Sequence, residues 1–184
     1  MTATIDTTAT AILSGEQRDL LDALAKARFF LRFTARELTD DQARTRSTAS
    51  ELTIGGLIKH VTHVEQNWAT FIVEGPESMQ SNDKDFTDWT EEDYAEFADS
   101  FRLTETETLA GALAAYEEVA ARTDALLREL PSLDAIQQLP KAPWFTDTEW
   151  SARRVFVHIV AETTQHSGHA DIIRESIDGS KSMG

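Results

Sequence analysis

The chain has no cysteine. That excludes a disulfide framework, a thiolate nucleophile and a zinc site built on sulfur. No run of about 18 apolar residues is present, so no membrane-spanning helix is expected. The opening MTATIDTTAT lacks a basic stretch followed by an apolar one, so it does not read as a secretory signal. A cytoplasmic location fits these absences. Basic residues are also scarce: 17 Lys and Arg stand against 32 Asp and Glu, a net charge of −15. Nucleic-acid phosphates and anionic membrane surfaces would be repelled, so neither is an expected partner. Several catalytic signatures are missing too. There is no HExxH, no glycine-rich phosphate loop and no Ser-His-Asp set. The paired Glu-x-x-His of a di-iron carboxylate bundle is absent as well.

What is present is helical periodicity. Ser14-Gly15-Glu16-Gln17 resembles a capping box and opens a first helix. Leu20, Leu24, Ala27, Leu31, Thr34 and Leu38 then step by fours and threes, the seam of a bundle helix. Thr39-Asp40-Asp41 and the Ser/Thr-rich 44–50 interrupt it. A second helix is expected from Thr53 to Val73, stopped by Gly75-Pro76. The third, from Thr104 to Leu130, has the cleanest seam, and Pro131, Pro140 and Pro143 mark the connection after it. The fourth runs from Thr148 to Ile177 and ends at Asp178-Gly179. No stretch alternates like a strand. The expectation is an all-α four-helix bundle over 14–179, with tails at 1–13 and 180–184.

Between helices two and three lies a long acidic connection. From Glu77 to Glu107 eleven acidic residues face only Lys84 and Arg102. It reads as a solvated link, or alternatively as a partner surface. Its EEDYAEFADSF looks like a short helix of its own. Whether it crosses over the bundle, or covers a site, stays open.

Chemistry concentrates on the last helix, where VFVHIVAETTQHSGHADIIR carries His158, Glu162, His166 and His169. At about 100° per residue, with Phe156 at 0°, the apolar arc runs from roughly 260° to 40°. His166 falls at roughly 280°, inside the arc, and Glu162 at roughly 240°, on its edge. His158, at roughly 200°, faces outward, and His169, at roughly 220°, is intermediate. On helix two, His60 lies beside the apolar arc and His63 well off it. Each residue has a bland reading alone: a hydrogen-bonded structural histidine, a solvated carboxylate. Together, His60, Glu162 and His166 make a three-ligand set suited to zinc or nickel, with one coordination position open.

GLIKHVTHVEQNW at 56–68 and HIVAETTQHSGHADIIRESIDG at 158–179 resemble the DinB-like superfamily, nearest to the actinobacterial branch first described as Streptomyces mini-circle proteins. The resemblance spans Gln17 to Gly179. In that superfamily a histidine of helix two and an i, i+4 pair on the last helix bind a divalent metal. Here Glu162 takes the first place of the pair, matching the His/Glu/His set of mycothiol-dependent maleylpyruvate isomerase. The resemblance implies a metal-dependent S-transferase, isomerase or hydrolase that uses a low-molecular-weight thiol such as mycothiol with an electrophile. The ligands implied are His60, Glu162 and His166, with His169 outside the ligand set as a second-layer or substrate-facing group. An anionic thiol would call for a basic patch, for which Arg153, Arg154 and Arg174 are candidates. The alternative is a non-catalytic, metal-stabilised bundle working as a stress-related binding protein. Members of the superfamily are often dimers, so a homodimer is expected.

Overall fold

A computed structural model of the protein describes residues 13–79, 89–140, 142 and 145–182. Residues 1–12 of the expected N-terminal tail, 80–88 of the acidic link, Pro143 with its neighbours 141 and 144, and the last two residues lie outside that set. The elements in order are α1 (Gly15–Thr34), α2 (Asp40–Arg44), α3 (Ile54–Glu74), a 3-10 turn (Pro76–Met79), α4 (Glu91–Asp99), α5 (Leu109–Glu129), β1 (Ile136–Gln138), β2 (Glu149–Ser151) and α6 (Ala152–Asp178). The all-α bundle stands, built on α1, α3, α5 and α6.

Local chemistry sets the helix starts. Ser14 and Gln17 form the expected capping box: the Ser14 hydroxyl accepts from Gln17 N at 3.1 Å, and Gln17 Oε1 accepts from Ser14 N at 2.9 Å. Thr39 and Gln42 form a second box, so the break in the first seam opens α2. Tertiary contacts move three boundaries. α1 ends at Thr34 rather than Leu38, because the buried Arg174 guanidinium donates to the carbonyls of Thr34 (2.7 Å) and Arg36 (2.6 Å). α5 begins at Leu109 rather than Thr104: Thr108 caps it through Gly111 N, and the Asp40 carboxylate accepts from Leu109 N. α6 begins at Ala152, because Glu149–Ser151 pairs antiparallel with Ile136–Gln138 in a short ribbon. That ribbon corrects the expectation of a strandless chain. Trp150, at its centre, is buried against the bundle.

Two apolar clusters give the topology. One joins Leu31 of α1, Ile54, Leu57, Ile58 and Val61 of α3, Leu109 and Tyr116 of α5, and Ala170 and Ile173 of α6. The other joins Leu24, Trp68 with Phe71 and Ile72, Leu127, and Val155, Phe156 and Ile159 of the same four helices. Hence α1 and α6 run one way, α3 and α5 the other. α1 packs mainly along α6, and α3 along both α5 and α6. Because α3 and α5 are parallel, the link between them returns along the length of the bundle as a crossover connection. Between the clusters sits a polar layer drawn from all four helices: Arg28, Glu65, Thr123, Asp124, Thr163 and Ser167. Among the described residues no helix is long and apolar enough to cross a membrane.

The stretch that ends the acidic link, Asp99 to Glu107, lies against α3. Glu91–Asp99 is helical, as its sequence suggested. Ser180 and Ser182, within the expected C-terminal tail, fold back on α6 through the carboxylates of Asp178 and Asp171.

Candidate metal centre

α3 and α6 lie side by side and antiparallel, which sets His60 opposite the Glu162–His166 turn. One nitrogen of each imidazole and one oxygen of the carboxylate all lie within 4.8 Å of one another. His166 Nε2 stands 3.6 Å from Glu162 Oε2, and the His60 ring meets the His166 ring edge-on at 4.9 Å. All three side chains are half-buried. They line the α3–α6 groove rather than the bundle interior, where Glu65 and Arg28 sit instead. The helical wheel had placed His166 inside the apolar arc. In the folded chain its side chain is 15% exposed, while Ser167 and Ala170 beside it are buried.

Electrostatics favour the metal-binding forms of two donors, His60 and Glu162. Burial, with His166 nearby adding to it, pushes the His60 imidazole down to about 4, so it is neutral at physiological pH. His166 holds the Glu162 carboxyl below the usual carboxylate range, outweighing burial, which acts the other way. Two imidazoles and one carboxylate are a donor set that suits a borderline divalent cation. On an ion with bonds of about 2.1 Å, tetrahedral donors stand ~3.4 Å apart, so modest side-chain rotations would close the set.

Three neighbours shape this group. His169 Nδ1 lies 3.4 Å from His166 Nδ1, so it engages the ring nitrogen turned away from Glu162. His158, read as outward-facing, is instead half-buried: its Nε2 is 3.9 Å from the other oxygen of Glu162. Its ring abuts Trp68 at 4.8 Å and Trp150 at 5.2 Å, and these two indoles stack at 4.7 Å. The third neighbour, Phe101, stacks on His60 with ring centres 4.4 Å apart and planes 23° from parallel. The helical wheel could not find Phe101, since nothing in its own segment encodes a partner on α3. The aromatic content of EEDYAEFADSF was the one available signal. His63 is exposed, as the wheel indicated.

The three arginines do not converge on the cluster. Arg174 is buried at the far end of α6, paired with Asp178 at 2.9 Å and bonded to the carbonyls of Thr34 and Arg36. Arg153 is held by Glu16 and Asp134. Arg154 lies over the Trp150 ring at 4.5 Å, one turn from His158, and is the nearest of the three by these contacts.

Fold and site together define a helical bundle of two parallel helix pairs, with a His/Glu/His donor group on adjacent helices. The family model described as mycothiol-S-transferase matches residues 19–179, and the chain belongs to that DinB-like family. No curated protein matches. Among solved structures, the crystal structure of the conserved protein of locus from Enterococcus faecalis is similar over 92% of this chain and 100% of its own, with a TM-score of 0.62 and 14% identity. That likeness speaks for the fold.

Proposed function

We propose that this protein is a metal-dependent S-transferase that takes a low-molecular-weight thiol of the mycothiol type and joins its sulfur to an electrophile. His60, Glu162 and His166 hold one divalent cation, zinc or nickel. The observation that carries this reading is the convergence of their three donor atoms within 4.8 Å. Membership of the mycothiol-S-transferase family supplies the substrate class.

A divalent cation in this donor set would stabilise a thiol as thiolate near neutral pH. The protein's own part is to present the donors. His60 and His166 are held on facing helices, and Glu162 contributes the single negative charge. With only that one charge from the protein, the site would leave a bound dication net positive, which would favour an anionic sulfur. His169 sits against the Nδ1 of His166, the ring nitrogen turned away from Glu162, and His158 sits against the second oxygen of Glu162. Phe101 stacks on His60, and the Trp68–Trp150 pair packs against His158.

Elemental analysis of the purified protein, with His166→Ala beside it, tests the ligand set. Stoichiometric zinc or nickel in the wild type and loss in the variant are expected. Full occupancy in His166→Ala would refute the assignment. A second reading is a non-catalytic metal-stabilised bundle, favoured by one observation: Arg153 and Arg174 are engaged in ion pairs and leave no arginine cluster for an anionic thiol. Calorimetry with mycothiol separates the two, since saturable, metal-dependent binding belongs to the transferase alone.

The proposal includes a homodimer. Exposed Phe29 on α1, with Val157 and Ile172 on α6, leaves apolar surface on two neighbouring helices. Sedimentation showing only a 20.5 kDa species would contradict it.

A further inference from the structure

The segment from Asp99 to Glu107 forms a strap drawn tightly onto the start of α3. Its approach is set by two adjacent glycines. A methyl group on Gly56 would collide with the Phe101 carbonyl, whose carbon would stand 2.8 Å away. One on Gly55 would come within 3.0 Å of Leu103. Lys59 then fastens the strap from the next turn. Its Nζ donates to the carbonyls of Asp99 (3.1 Å) and Arg102 (3.4 Å) and pairs with Glu107 at 2.8 Å. The Glu107 carboxylate also accepts from the amide and hydroxyl of Thr104, both at 2.8 Å, which fixes the strap's own turn. Arg44 closes the far side by donating to the Thr104 carbonyl at 3.2 Å. Leu103 is buried beneath.

The consequence falls one residue from Lys59. The strap's one aromatic ring, Phe101, is laid face to face on His60, while His166 abuts the same imidazole edge-on. A half-buried imidazole on a helix rotates about χ2 unless its faces are occupied. We infer that the strap is a positioning device for the candidate metal centre: Gly56 and the Lys59–Glu107 pair seat Phe101, and Phe101 sets the plane in which His60 presents its nitrogen towards Glu162 and His166. The inference rests on the metal-centre reading above. Lys59, Gly56, Glu107 and Phe101 touch none of the three donor atoms in this role. They act through His60, and nothing in the spacing of the His/Glu/His set points to them.

Zinc and nickel titrations by calorimetry, made at a temperature where circular dichroism shows each variant folded, test this. Phe101→Ala and Lys59→Met are expected to weaken binding by roughly tenfold or more, as outer-layer partners of a metal ligand do. Lys59→Arg retains a cation for Glu107 and the two carbonyls, and restores most of the affinity. Gly168→Ala, where an added methyl meets nothing within 4 Å, leaves it unchanged. A second measurement needs no metal: in the metal-free protein the His60 ring protons carry a ring-current shift from Phe101, which disappears in Phe101→Ala and changes in Lys59→Met. Unaltered affinity in Phe101→Ala overturns the inference while leaving the ligands standing. A loss in Lys59→Arg as deep as in Lys59→Met overturns the role of the Lys59–Glu107 pair. Failure of the wild type to bind either ion overturns the metal reading, and the inference with it.

Discussion

Arg28 of α1 and Glu65 of α3 meet across the diagonal of the bundle in a two-pronged ion pair, with nitrogen–oxygen distances of 2.5 and 3.2 Å. Their residues are 3% and 0% exposed, and Arg28 reaches on to Asp124 of α5 at 2.7 Å. One contact thus ties three helices beside the groove that holds the His/Glu/His group. Glu65→Ala strands a buried guanidinium with one remaining, partly exposed partner. The expected cost is about 3 kcal/mol, since breaking a buried pair on one side leaves an uncompensated charge. Urea unfolding checks it: the midpoint should fall with the slope unchanged.

His158 and His166 flank Glu162 one turn to either side, yet only His166 belongs to the donor group. His158→Ala is therefore expected to weaken zinc binding by about tenfold, by releasing the outer oxygen of Glu162, whereas His166→Ala abolishes it. Calorimetric titration distinguishes them. Equal losses would make His158 a ligand.

Acid should loosen the strap. Burial tends to raise the Glu107 carboxyl, but donation from Lys59 and Thr104 outweighs it and brings the group down to about 2. A carboxyl depressed in the folded state adds stability that is complete above its unfolded value of about 4.5 and drains away as pH falls towards 2. Glu107→Gln should therefore flatten the melting-temperature profile across that window and leave it parallel to wild type above pH 5. A profile as steep as wild type below pH 4 would contradict this.

Gly168 sits mid-helix in α6, between Ser167 and His169, with open space where a side chain would go. Gly168→Ala is expected to stabilise the protein by up to about 1 kcal/mol, the usual helix-interior penalty of glycine. Thermal unfolding checks the sign. A fall in melting temperature would show that the open space is required.

Much of this was legible from pattern alone, and the reason differs by element. The seams of α1 and α5 and the caps at Ser14, Thr53 and Gly179 depend on neighbours within a turn, so they survive reading without a structure. Glu162 and His166 share a face because four residues are about one turn. By contrast, the early end of α1 depends on Arg174, 140 residues from Thr34, and the β1–β2 ribbon on a pairing across a proline-rich connection. The outward reading of His158 failed for the same reason. A wheel knows only one helix, and Trp68 and Trp150 cover that histidine from elsewhere.

Taken alone, the order of residues determined four amphipathic helices, an acidic and cysteine-free character, and a carboxylate–imidazole pair one turn apart. These are short-range properties, set by backbone geometry and side-chain type. Only the folded chain decided that α3 and α5 run parallel, that His60 faces that pair, that Phe101 is its stacking partner, and that the arginines point elsewhere. Those outcomes depend on which distant surfaces find one another during burial, a competition that no local spacing encodes.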